Sequence, residues 1–186
     1  MKLTELILDH IELTKLTKEE SCRHNGGPSD LMPMMIWVDT LGKTGLACIE
    51  HKGNTMDYMP KALNLVAQQD PEFVLFVAES LAMKVDGMEA LEEFKKTHKS
   101  GDLAKMHAKR GPLSGIEELI AFNGLNTNTG EQVQGFVKFH YNDIGVPIFG
   151  ETTVQSIDEK YIDESNVTSV FNQFYKFMVS RKACQN

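Results

Sequence analysis

An α+β fold built on an antiparallel sheet of about five or six strands is predicted by three features of the sequence. Residues 72–85 carry Phe73, Leu75, Val77, Leu81, Met83 and Val85 at every second position, the period of a strand with one apolar face. Several further apolar runs are separated by short segments rich in Gly and Asn, the punctuation of hairpins. Both ends of the chain instead place apolar residues at helical spacing.

Taken in order, Leu3, Leu6, Ile7 and Ile11 with Glu5, Asp9 and Lys15 between them predict an amphipathic helix over 2–16. Residues 17–33 turn polar and contain Asn25-Gly26-Gly27-Pro28, so a surface loop is expected there. Residues 34–38 and 46–49 flank Leu41-Gly42-Lys43-Thr44-Gly45, which reads as a β-hairpin. The Gly42-Lys43-Thr44 triplet is not a phosphate-binding loop: the first glycine of that spacing would fall on Trp37, and no helix follows. Met59, Leu63, Val66 and Ala67 predict a helix over 57–69, with Asp57 as its cap and Pro60 in its first turn. The central strand follows, and segments 115–123 and 132–141, joined by the turn-rich 124–130, form a second hairpin. Residues 146–154 add a further strand. Val167, Val170, Phe171, Phe174, Phe177 and Met178 trace a C-terminal helix expected to cover one sheet face, with Lys176, Arg181 and Lys182 toward its negative end.

The 186 residues fit a single domain, 1–186, in which 86–114 differs in composition and reads as a helical insertion between two strands. With 41% hydrophobic and 24% charged residues, the composition is that of an ordinary folded chain. A net charge of −7 argues against a surface devoted to nucleic acid. No apolar run reaches membrane-spanning length, Glu5, Asp9 and His10 interrupt the N-terminal run, and three cysteines are too few for a disulfide framework. A cytoplasmic protein without membrane association and without a cofactor is the expectation.

Four sets of residues could carry chemistry. Cys22, His24, Cys48 and His51 have the ligand types of a tetrahedral zinc site, but Cys22-x-His24 lacks knuckle spacing, and strand alternation would send Cys48 and His51 to opposite faces. Small apolar packing is the preferred role for these cysteines. Glu79 interrupts the odd-numbered face of the central strand, where a carboxylate is costly unless paired or protonated. Either a local bulge turns it to water, or it neutralises a buried base, or it is a catalytic candidate. His140 falls on the same side of its strand as Gln132, Gln134 and Lys138 and is expected to be solvated. Lys95, Lys96, Lys99, Lys105, Lys109 and Arg110, opposed only by Asp102, form a basic run suited to an anionic partner, without the interleaved aromatics that stack on bases.

Residues 73–124 resemble segments of small α+β proteins from phage and prokaryotic genomes, a resemblance that implies no activity. No serine elbow or dinucleotide-binding glycine pattern is present. The sequence therefore favours a non-enzymatic interaction or regulatory protein, self-associating as a homodimer. The alternatives are a small enzyme using Glu79 with His51 or His140, and a zinc-stabilised binding domain.

Overall fold

Helix α1 (Leu3–Asn25) runs well beyond the point where its apolar stripe ends. The computed structural model describes residues 2–49, 57–83, 88–97, 115–162 and 166–184. Leu3, Leu6, Ile7 and Ile11 are buried as expected, but Thr14, Lys18 and Cys22 continue the same buried line at three- and four-residue spacing. The expected loop over 17–33 is thus helical in its first part. The polar residues that seemed to end the periodicity occupy core-facing positions. Gly26 stops the helix in the left-handed conformation, φ 68°. Its N–H donates to Arg23 O and that of Gly27 to Cys22 O, a paired closure of the last turn.

Among the described residues six strands follow: β1 (Met34–Asp39), β2 (Thr44–Cys48), β3 (Pro71–Met83), β4 (Ile116–Asn126), β5 (Gln132–Tyr141) and β6 (Pro147–Ser156). They form one sheet in the order β2-β1-β3-β4-β5-β6, with every neighbouring pair antiparallel. The β1–β2 turn is fixed by Asp39, whose Oδ1 accepts from the N–H groups of Leu41 and Lys43 at 2.9 and 2.8 Å. The β4–β5 connection is tighter than the sequence suggests. Asn126 Oδ1 accepts from the N–H groups of Asn128 and Thr129, and Gly130 closes the turn at φ 78°.

Helix α2 (Met59–Ala67) carries the chain from β2 over to β3. Met59, Leu63, Val66 and Ala67 are its buried face, and Pro60 sits in the first turn, but the cap position is Tyr58 rather than Asp57. Helix α3 (Met88–Thr97) occupies the start of the 86–114 interval. The second helix expected around 102–109 lies outside the described residues. A 3-10 turn (Glu159–Tyr161) precedes α4 (Asn166–Ala183).

The two faces of the sheet are covered differently. On one, α1 packs across β4, β5 and β6 onto Phe73, Leu75, Val77, Ile120, Phe122, Val133 and Val137. Gly124 and Gly135 let it approach closely: a Cβ on either would lie 2.9 Å from a methyl of Leu3 or Ile7. On the other, α2 and α4 close over Met35, Val74, Phe76 and Leu125, with Phe171, Phe174 and Met178 buried beneath α4. Phe177 belongs to the predicted stripe but is 48% exposed. Arg181 Nη1 donates to Ala67 O, so this cation satisfies the carbonyl end of α2.

Candidate functional site

Strand alternation carries Glu79 to the α1 face, in line with Phe73, Leu75 and Val77. Its partner is a lysine. Lys18, from the polar half of α1, has a fully buried side chain, and its Nζ donates to Glu79 Oε1, to Tyr141 Oη at 2.9 Å and to Ser29 O at 2.8 Å. Three acceptors match the three hydrogens of an ammonium. The same nitrogen lies 4.6 Å from the centre of the Phe139 ring and 5.2 Å from that of Tyr141, close enough for cation–π attraction.

Glu79 also holds the chain between α1 and β1, because its Oε1 accepts from Leu31 N–H at 2.6 Å. Ser29 is tied further by Ser21 Oγ at 2.9 Å and by Asn25 Nδ2, which donates to its hydroxyl at 3.0 Å. Four segments therefore meet here: α1, the 26–33 connection, β3 and the end of β5.

The electrostatics follow from this geometry. Burial pulls Lys18 toward the neutral amine, but the bonds to Glu79 and Tyr141 and the charge of Glu79 outweigh it, raising its pKa above the ordinary lysine value. Burial also dominates at Glu79 and raises its pKa; the bond and charge of Lys18 and the Leu31 N–H oppose that shift, while nearby Asp30 adds to it. The two partners weigh their shared contact differently because Lys18 gathers three acceptors, whereas Glu79 has one cation and a neighbouring like charge. Burial likewise raises Tyr141 over the opposition of Lys18. A lysine held as ammonium has no lone pair for nucleophilic attack or Schiff-base formation, and a tyrosine with a raised pKa is no base at neutral pH.

A cleft of about 630 Å³ borders this cluster, lined by Tyr141, Phe139, Phe149, Ile116, Glu118 and the Glu117–Lys138 ion pair, among others. His140 also reaches its rim. The β5 register places it opposite Ile148 and out of line with Phe139 and Tyr141, and it is exposed. His140 thus belongs to the sheet face opposite Glu79, and His51 lies outside the described residues.

The other candidate residues are not brought together among the described residues. Cys22 is buried on α1, with its thiol 4.0 Å from Ser29 O, while His24 and Cys48 are exposed. Among the described residues no three metal-ligating side chains come together. Of the basic run, Lys96 is exposed on α3 beside Glu89, Glu92 and Glu93. The side chain of Lys95 and all of Lys99, Lys105, Lys109 and Arg110 lie outside the described residues.

Sequence reasoning found Glu79 and missed Lys18 and Tyr141. The available signal was the four-residue step from Thr14 to Lys18 to Cys22, which extends the Ile7–Ile11 line. Among the described residues no helix is long and apolar enough to cross a membrane. The chain matches no known protein family, and neither the curated proteins nor the solved structures offer a match at the level of sequence or fold.

Proposed function

We propose that this chain is a non-enzymatic interaction module in which the Lys18–Glu79–Tyr141 cluster is an internal fastener. The observation that carries this reading is the closure of the cluster: Lys18 has no exposed side-chain surface and each of its ammonium hydrogens has an acceptor. The Lys18–Glu79 ion pair thus ties the 26–33 connection to α1 and β3, with the ammonium side fully buried. The acidic net charge of −7 favours protein or small-molecule partners over polyanions.

Amine acylation of the folded chain tests this. Peptide mapping by mass spectrometry is expected to show modification at exposed Lys61 and Lys96 while Lys18 stays unmodified. A Lys18 that reacts faster than these two would indicate a neutral, accessible amine and would overturn the reading. The cleft beside Tyr141 favours a second reading, a small enzyme or ligand-binding protein centred on Glu79. That reading requires Lys18 to be reactive or Glu79 to be reachable from the cleft.

A further inference from the structure

Among the described residues the sheet has two outer edges of different character. At one, β6 begins with Pro147, contains Gly150 and Glu151, and faces β5 through a register shift between Val137 and Phe139. Proline, charge and irregularity are the devices that keep an edge from pairing. At the other, β2 reads Thr44-Gly45-Leu46-Ala47-Cys48, with no charge, no proline and an unbroken register against β1.

The direction of the free groups on β2 follows from its pairing. Asp39 N–H donates to Lys43 O and Ile49 N–H to Pro33 O, so residues 43 and 49 turn their backbone groups toward β1. By antiparallel alternation Gly45 and Ala47 do the same, and Thr44, Leu46 and Cys48 turn theirs outward. Among the described residues β2 pairs only with β1. Two large apolar side chains flank this edge. Leu46 is 54% exposed on β2, and Leu65, 65% exposed, lines the groove between β2 and α2.

We infer that the partner is a second copy of this chain, docked β2 to β2 in antiparallel register about a two-fold axis through Leu46. This register is self-complementary: Leu46 exchanges both hydrogen bonds with its counterpart, and Thr44 does so with the copy's Cys48. The self-complementary register and the absence of charge on β2 together fit a copy as the occupant. In this register Leu46 meets its own counterpart and Thr44 meets the copy's Cys48, so two chains of net charge −7 pair here through a strand that brings no like charges together. The added strand also covers Leu46. The result is one continuous sheet through two chains.

This inference names the partner for the interaction module and rests on that reading. Light scattering on the full chain over rising concentration tests it, with Leu46→Pro and Leu46→Lys as variants. Proline removes an outward N–H and leaves the β1–β2 ladder intact, while lysine sets two like charges across the axis. The wild type is expected to reach twice the chain mass of 20.9 kDa. Each variant should weaken the dimer by at least ~10-fold with an unchanged circular dichroism spectrum. A wild type that stays at the single-chain mass, or a dimer that both variants leave intact, overturns the edge pairing. The acylation result separates the two failures: inert Lys18 in a monomer defeats the pairing alone, and reactive Lys18 defeats the module reading whatever the mass.

Discussion

The two halves of α1 lie on the same sheet face and stabilise it by different means. The first half sets Leu3, Leu6, Ile7 and Ile11 against the sheet, with Gly124 and Gly135 giving the room for contact. Its attraction is area burial, which is strong and has little directional preference. The second half presents Thr14, Lys18 and Cys22 to the same face, and the buried ammonium of Lys18 must find three acceptors on three other segments. Apolar contact brings the helix to the sheet; the directional bonds select one axial position along it.

The difference can be broken most severely at Glu79. Glu79→Ala leaves a buried ammonium without its counter-ion and Leu31 N–H without its acceptor, and is expected to cost roughly 3 kcal/mol in urea unfolding. Glu79→Gln also removes the counter-ion but keeps an oxygen for both donors, and is expected to cost less, about 1–2 kcal/mol. Equal losses in the two variants would show that charge, not bond geometry, holds the connection.

Next in size are the glycines under the apolar half. A Cβ at Gly135 meets Ile7 Cγ2 at 2.9 Å and both Ile11 and Val154 at 3.4 Å, so Gly135→Ala is expected to destabilise by about 2 kcal/mol. At Gly124 the nearest atoms are the Cδ1 methyls of Leu3 and Ile7, which can rotate away. Gly124→Ala is therefore expected to cost under about 1 kcal/mol. Thermal melts of the two variants rank them, and a reversed order would place the tight contact of α1 over β4.

The smallest effect is in pH. Because the folded pKa of Glu79 is raised from its ordinary 4.5, the folded state binds this proton more tightly than the unfolded chain does. The associated stability is fully present below 4.5 and is lost as pH rises through the folded value. The stability of the wild type relative to Glu79→Gln should therefore decline as pH rises from 4.5, measured as the difference between paired urea curves. A difference that grows with pH would mean that Lys18 lowers the Glu79 pKa.

Much of this arrangement was legible in the sequence, for a physical reason that also marks where legibility ends. Strands reveal themselves when alternate residues share a fate, so β3, β5 and the exceptional position of Glu79 could be read directly. The same rule hid Lys18. A lysine after a run of apolar positions ordinarily marks a solvated turn, and only contacts with residues 61 and 123 positions away make it a core residue. Tyr141 was invisible as a partner because it ends its strand, where side-chain direction has no following residue to confirm it. The cap of α2 was misplaced by one residue because Asp57 is a better capping type than Tyr58, while the backbone turns at Tyr58.

Those long separations bear on how the molecule assembles in time. The Lys18 bonds to Glu79 and Tyr141 cannot both close until β3 and β5 have taken their places, since they bridge parts of the chain that loop closure brings together late. Interactions absent from the folding transition state slow unfolding without hastening folding. If these bonds form after the transition state, the polar half of α1 acts as a brake on opening, and Lys18→Met should speed unfolding in stopped-flow measurements while leaving the folding rate unchanged.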